Sequence, residues 1–143
     1  MVPRTRVLFL CIGNACRSQM AEAIARHMAS DVIDPSSAGL APFGEIPDTT
    51  LAILRERGIS ADGQSSKPLR PEDLSAADMI INMTGRSAAE IFTEPVPHVE
   101  DWDVGDPYGY DLAVYRAIRD QIEARVDDLA QRLRGRADSG GAA

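Results

Sequence analysis

The stretch VLFLCIGNACRSQMAE, Val7 to Glu22, decides the fold. Arg6 to Cys11 is a short, nearly continuous apolar run, the pattern of a parallel strand buried on both faces. IGNA then supplies turn chemistry, and CRSQMAEAIARHMAS reads as a helix with Met20, Ala21, Ile24, Ala25 and Met28 on one face. Strand, glycine loop and helix open a βαβ unit. In sheets built from such units, ligands sit at the carboxyl ends of strands, beside helix N-termini. Both cysteines of the chain, Cys11 and Cys16, fall there.

The same alternation continues downstream. Asp31 to Gly39 holds a second short strand, weakened by Pro35, and LAPFGEIP is a loop. Pro47 suits the first turn of a helix through DTTLAILRERG that Gly58 closes. ISADGQSSKPLRPED is polar and turn-rich, a surface connection with a helical turn near Pro71 to Leu74. Ala77 to Met83 is a strand, GRSAAEIF a short helix, and Val96 to Val99 a brief strand before an aromatic, carboxylate-rich loop. From Leu112 a long amphipathic helix carries Leu112, Tyr115, Ile118, Ile122, Val126, Leu129 and Leu133, and is expected to end at Gly135. The predicted architecture is α/β: a three-layer sandwich with a central, mostly parallel four-stranded sheet, one domain over 1–134 and a disordered tail over 135–143.

Composition narrows the chemistry. With 143 residues and 44% hydrophobic content, the chain can bury a core without staples. No run approaches the roughly 20 apolar residues of a membrane span, and nothing resembles a signal peptide, so a cytoplasmic location is expected. A stable structural disulfide is not expected in that reducing compartment. A net charge of −7 argues against nucleic-acid or membrane partners, which call for a basic face. No second Cys or His pair stands at zinc-ligand spacing, so neither metal nor cofactor is expected. An anionic substrate would have to be drawn by a local device.

The loop provides one. A cysteine, five residues and an arginine, with Ser18 next, can curl so that successive backbone N–H groups point inward at the positive end of a helix, a nest for a tetrahedral oxyanion. Ile12, Gly13, Asn14, Ala15, Cys16, Arg17 and Ser18 would form this cradle. Gly13 and Asn14 are residue types that tolerate left-handed backbone angles, and Arg17 can give two parallel donors to two oxygens. Cysteines beside helix N-termini and cations are commonly thiolates, and the Ser18 hydroxyl would favour that form at Cys11. Cys11 would then attack phosphorus in line and form a phosphocysteine. A leaving group needs a proton, and DPYG, Asp106 to Gly109, fixes a turn that could aim Asp106 across the sheet edge, with Tyr108 beside it as a wall. Trp102 and Tyr110 either line the mouth or pack over the sheet edge. A phosphate-sensing module would keep the loop without turnover, and a thiol switch would not need Asp106; the intact Cys, Arg and Asp-Pro set favours an enzyme.

VLFLCIGNACRSQMAE together with DPYG resembles the low-molecular-weight protein tyrosine phosphatase superfamily, from about Val7 to Leu133. SSAG (Ser36 to Gly39), ADMIINMT (Ala77 to Thr84) and the last helix stand where that family has corresponding elements. The resemblance implies Cys11 as nucleophile, Arg17 as phosphate ligand, Asp106 as acid and then base, Asn14 and Ser18 as loop organisers and Ser37 in a network under the loop. It also implies that Cys16 can pair with Cys11 under oxidation. A phosphorylated protein or small aromatic phosphate would be the substrate and inorganic phosphate the product.

Two sister activities share the fold. CRSQMAE, GQSSK (Gly63 to Lys67) and EDW (Glu100 to Trp102) resemble the arsenate reductase branch, whose members usually carry further cysteines after the strand equivalent to Met79–Met83. Here that region reads NMTGRSAAE, without a thiol, so a reductase would draw on thioredoxin, glutaredoxin or a small thiol. A protein arginine phosphatase commonly has threonine where this chain has Ala15. Phosphotyrosine hydrolysis is the expected activity, with arsenate reduction by an external thiol as the alternative.

Overall fold

The computed structural model describes residues 3–142, with side chains through residue 136. Nine elements follow in order: β1 (Thr5–Cys11), α1 (Arg17–Met28), β2 (Ile33–Gly39), α2 (Asp48–Arg55), α3 (Pro71–Ala76), β3 (Met79–Asn82), α4 (Ala88–Ile91), β4 (Val99–Asp101) and α5 (Leu112–Ala142). All strand pairs are parallel, in the order β2-β1-β3-β4. Helix-rich clusters cover both faces, giving the three-layer α/β sandwich that the strand–helix alternation predicts.

The apolar run of β1 is explained by its place inside the sheet. Val7, Phe9 and Cys11 face α1, α2 and α5, whereas Leu8 and Leu10 face Ile80, Ala38 and the thinner layer of Leu74, Ile91 and Phe92. Val7 to Leu10 are each at most 1% exposed. This fixes Cys11 at the carboxyl end of an interior strand, where the chain must turn to reach α1. That helix is itself enclosed, with Arg17 through Ala25 all buried.

Pro35 lies within β2 without breaking it, because β2 is an edge strand and its outer side needs no ladder donor. The fourth strand is displaced from Val96–Val99 to Val99–Asp101. Pro95 and Pro97 cannot donate to a ladder, and His98, at φ 60°, turns the chain into the strand just before Val99. In α5, Tyr115, Ile118, Ile122, Val126, Leu129 and Leu133 form the buried stripe, while Leu112 stays 46% exposed because it belongs to the first turn, ahead of the contact with α1 and α2. The helix runs past Gly135, which lacks the left-handed angle of a helix stop. The side chains of 137–143, within the expected tail, lie outside the described residues.

Gly58, by contrast, is at φ 69° and does end α2, with the Ile59 N–H returning to the Leu54 carbonyl. The polar connection after it is more than a surface link. Pro68 bridges to Gly39, and the Gly39 backbone exchanges hydrogen bonds with the Lys67 carbonyl (3.0 Å) and the Leu69 N–H (3.0 Å). The segment 64–69 is thereby held beside the end of β2, next to the loop that follows β1. No helix among the described residues is long and apolar enough to cross a membrane.

Candidate active site

The loop between β1 and α1 curls around the helix N-terminus. Asn14 takes the left-handed angle, φ 46°, that its residue type tolerates, and Cys16 precedes the helix without a side-chain cap. Among the described residues no hydrogen bond takes up the backbone N–H of Gly13, Asn14, Ala15 or Cys16. Those donors, with the first amides of α1, are the free groups an oxyanion needs.

Behind the loop the polar side chains bind one another. The Asn14 amide donates to Ser18 Oγ at 2.7 Å, and Ser18 Oγ lies 2.8 Å from Cys11 Sγ. Asn14 Oδ1 accepts from the Lys67 N–H (2.9 Å) and from Gln19 Nε2 (3.0 Å). Gln19 Nε2 also reaches the Asn14 carbonyl (3.0 Å) and the Ser65 carbonyl (2.9 Å), while Gln64 Nε2 donates to Gln19 Oε1 at 2.8 Å. Ser66 Oγ donates to the Gly13 carbonyl at 3.1 Å. The strained Asn14 is therefore held from two sides. Gly39 completes the support, because a Cβ there would lie 2.7 Å from the Ile12 carbonyl oxygen and 2.8 Å from the Asn14 backbone. Only glycine lets β2 approach so closely.

Arg17 is 6% exposed, and its guanidinium donates to the carbonyls of Met83 and Val104, just past β3 and β4. Its other terminal nitrogen lies 3.8 Å from the Asp106 carboxylate, which is half-exposed. Cys11, Ile12, Gly13, Ala15, Cys16 and Arg17 line a pocket of about 230 Å³, together with Ala41, Phe43 and Asp106. Phe43 meets Tyr108 edge to face across the mouth, with ring centres 4.8 Å apart. A larger hollow of about 660 Å³ lies beside it, between the 44–46 turn, α2 and residues 58–66. That hollow is lined by no cysteine, whereas Cys11 and Cys16 both line the smaller pocket.

The two cysteines occupy different settings. Cys16 Sγ lies 3.7 Å from Tyr115 Oη, and burial pushes its thiol above the usual range. Burial, and then the contact with Cys16, also drives the Tyr115 hydroxyl up. This pair is a protonated, packed contact, in keeping with the behaviour of a small buried hydrophobe. The two cysteines are free thiols here.

Some predicted positions sit elsewhere. Trp102 is 4% exposed and packs on Phe9 at 5.9 Å between ring centres, with the Arg125 guanidinium 6.0 Å from its own ring centre, so it belongs to the core and not to the pocket wall. Its strand-end position buries the indole under α5 before the chain turns outward. Ser37 donates to Glu22 on α1 at 2.6 Å and does not touch the loop; Glu22 also pairs with Arg26 at 2.7 Å. Tyr110 is 66% exposed, outside the lining. Phe43, Gln19, Gly39 and the Met83 and Val104 carbonyls join the site unannounced. Phe43 had one legible signal, an aromatic side chain in a proline- and glycine-bounded loop. Among the described residues no group of three or more His, Cys, Asp or Glu could hold a metal.

The family model described as low molecular weight phosphotyrosine protein phosphatase matches residues 6–138. A glutaredoxin arsenate reductase of Synechocystis is 34% identical over 90% of this chain and 98% of its own length. An arginine phosphatase structure from Geobacillus stearothermophilus is 31% identical, with a TM-score of 0.83 over 92% of this chain and 94% of that one. A low-molecular-weight protein tyrosine phosphatase structure from T. tengcongensis is 33% identical, with a TM-score of 0.79 over 90% and 99%. The chain belongs to the low-molecular-weight phosphotyrosine protein phosphatase family, a family in which these relatives carry different activities.

Proposed function

We propose that this family member is a phosphomonoester hydrolase that acts on an aromatic phosphate, phosphotyrosine first, through a phosphocysteine at Cys11. The observation that carries this reading is the composition of one pocket: Cys11 and Arg17 at its floor, Asp106 at its edge, and the Phe43–Tyr108 pair across its mouth. An aromatic ring would pack against this pair by parting Phe43 from Tyr108, and its phosphate would reach the free amides below.

The steps follow from those positions. The Cys11 thiolate forms a sulfur–phosphorus bond while the bond from phosphorus to the ester oxygen breaks, and that oxygen takes its proton from Asp106. Arg17 and the loop amides hold the three equatorial oxygens as charge spreads over them. Asp106, now a carboxylate, takes a proton from water as the water oxygen attacks phosphorus. The sulfur–phosphorus bond breaks, and inorganic phosphate and the Cys11 thiolate are restored. Ser18 Oγ, 2.8 Å from the sulfur, donates to the thiolate that departs.

A second reading, arsenate reduction, is supported by the arsenate reductase relatives and by the Gln19 clamp onto Gln64 and Ser65. Cys11 would bond arsenic with loss of water. An external thiolate would then attack the Cys11 sulfur, the sulfur–arsenic electron pair would leave with arsenic as arsenite, and a second thiol would reduce the mixed disulfide. Cys16, packed and protonated beside Tyr115, does not suit an internal relay. Thioredoxin, glutaredoxin or a small thiol would be the partner. Phosphoarginine hydrolysis stands third, with Ala15 in place of threonine.

Parallel assays separate these readings: p-nitrophenyl phosphate, phosphotyrosine and phosphoarginine hydrolysis, and arsenate reduction with each thiol donor. Phosphotyrosine turnover exceeding the others supports the proposal. Arsenate turnover with negligible phosphatase activity reverses it.

A further inference from the structure

In a trans peptide the carbonyl and the following N–H point to opposite sides, so a carbonyl that is held fixes the direction of the next residue's N–H. Every carbonyl from Cys11 to Cys16 is held. The Cys11, Ile12 and Gly13 oxygens accept from the N–H groups of Leu40 (3.2 Å), Ala41 (2.8 Å) and Phe43 (3.0 Å), and the Cys16 oxygen accepts from Met20 (2.9 Å). The two carbonyls between them have side-chain donors, Gln19 Nε2 on Asn14 (3.0 Å) and Thr50 Oγ1 on Ala15 (3.1 Å). With these partners ranged outside the loop, the N–H groups of Gly13, Asn14, Ala15 and Cys16, which take no other bond among the described residues, are left for its inside.

Thr50 differs from the other donors. The buried positions of α2 are Thr50, Ile53 and Leu54, one helix face at i, i+3 and i+4. Two of them are aliphatic, and the third puts a hydroxyl, 0% exposed, where a valine would pack. A buried hydroxyl needs a partner, and a helical threonine commonly finds it in a carbonyl of its own helix. This one reaches out of α2 to Ala15, and among the described residues the Ala15 carbonyl has no other hydrogen bond. The same hydroxyl meets the Cys16 side chain, so it touches both residues of the peptide that it holds. Gln19, by comparison, also binds the Asn14 side chain and the Ser65 carbonyl, and its loss would disturb several supports at once. Thr50 is not among the residues that line the pocket.

We propose that Thr50 is a positioning residue for the reaction: by holding the Ala15 carbonyl outside the loop, it aims the Cys16 N–H into the pocket, at the oxyanion. Without the hydroxyl the Ala15–Cys16 peptide is free to rotate, and one amide that meets the developing charge is misdirected. A preorganised donor acts most where charge gathers in the transition state, so kcat suffers more than KM. The proposal rests on the phosphocysteine reading for its kinetic readout, and it adds α2 to the elements that shape the site.

The test compares the full chain with Thr50→Val, which keeps the branched shape and removes the hydroxyl, and with Thr50→Ser, which keeps the hydroxyl. The readouts are kcat and KM on p-nitrophenyl phosphate, Tm, and inhibition by vanadate, whose five-coordinate adduct with a thiolate imitates the transition state. Loss of a whole oxyanion donor costs on the order of 10²–10³-fold in kcat, and a misdirected one should cost Thr50→Val about tenfold, with a similar loss of vanadate affinity and a smaller change in KM. Thr50→Ser should recover most of both. A Val variant that keeps kcat and vanadate affinity overturns the proposal, whatever its Tm. A Ser variant as impaired as the Val variant also overturns it, since packing of the methyl group would then be the cause. If Thr50→Val does not fold, amide NMR of the unaltered chain decides: the Cys16 N–H should move downfield when inorganic phosphate is added, and a stationary resonance overturns the assignment. If the unaltered chain hydrolyses no aryl phosphate, the hydrolase reading falls, and Thr50 is judged on vanadate binding by calorimetry, where equal affinity in Thr50→Val and the unaltered chain overturns the proposal and an affinity about tenfold weaker in Thr50→Val supports it.

Discussion

At the floor of the pocket nearly every polar side chain is bonded to another part of the chain; at the rim almost none is. Asn14, Ser18, Gln19 and Arg17 are buried and reach partners on one another, on the segments just past β3 and β4 and on residues 64–67. Phe43, Asp106 and Tyr108 are exposed, and the rim's internal contacts are an edge-to-face ring pair and a turn in which Asp106 accepts from the Tyr108 N–H at 3.0 Å. A floor so constrained fixes the geometry of any oxyanion and its nucleophile. A rim so lightly held leaves the carrier of that oxyanion to be chosen by loops. Relatives of this fold carry several activities, and a fixed floor under a lightly held rim is an arrangement in which substrate choice can change without the fold changing.

Substitutions can sharpen or break that division. Floor changes should reduce activity towards every substrate alike, and rim changes should discriminate among them. The largest expected effect is Cys11→Ser, which removes the thiolate and should lower kcat on p-nitrophenyl phosphate by about 10⁴-fold or more, with phosphate still bound in calorimetry. A comparable rate in the variant would end the phosphocysteine mechanism. Next comes Asp106→Asn at the rim. Loss of a general acid costs on the order of 10²–10⁴-fold, but the loss should be concentrated on alkyl or unactivated aryl phosphates and be small for p-nitrophenyl phosphate, whose leaving group needs little proton donation. Equal losses for both would remove Asp106 from the acid role and with it the division.

Gly39→Ala tests the floor without touching a functional group. A methyl within 2.8 Å of the Asn14 backbone must displace the loop or β2, so overpacking should cost about 1–3 kcal/mol and lower Tm by roughly 3–10 °C. Its kcat on all substrates should fall together. Unchanged Tm and activity would show that the floor gives way more easily than its hydrogen bonds suggest.

The smallest effect lies outside both regions. Hydrogen bonds from Arg116 and then Arg119 hold the Glu56 carboxyl down to about 2, from an ordinary 4.5. A depressed carboxyl contributes stability that is complete above its unfolded value and is lost as pH falls through the folded one. Urea unfolding should therefore show Glu56→Gln less stable than the unaltered chain near neutrality, with the gap closing between about pH 4.5 and pH 2. Substrate preference should not change. A shift in preference would mean that the clamp between α2 and α5 reaches the rim.

The sequence made the floor legible only in part. β1, the glycine turn and the start of α1 are local patterns, and the spacing from Cys11 to Arg17 brings its own residues together. The stripe on α5 is local in the same sense. What holds the loop is not: Gln19 acts through Ser65 and Gln64, some 45 residues away, and a polar connection gives no sign of which amide it will meet. Gly39 is needed because of the backbone of Asn14, a contact that no spacing encodes. Trp102 could be read as wall or core, since an indole in an acidic loop serves either, and only its stacking on Phe9 decides. Val96 fell out of β4 because two prolines and a left-handed His98 push pairing onward.

Pro35 has a further consequence. Of the two open sides of the sheet, one is β4, three residues long, and the other is β2, which lacks a donor at Pro35 and is capped near Gly39 by Pro68 and Leu69. Among the described residues, neither side offers the long row of free amides and carbonyls on which a second chain could add a strand. In a concentrated solution, copies of this protein meet edges that are short or interrupted, so a proline that first looks like a flaw in a strand works against edge-to-edge pairing.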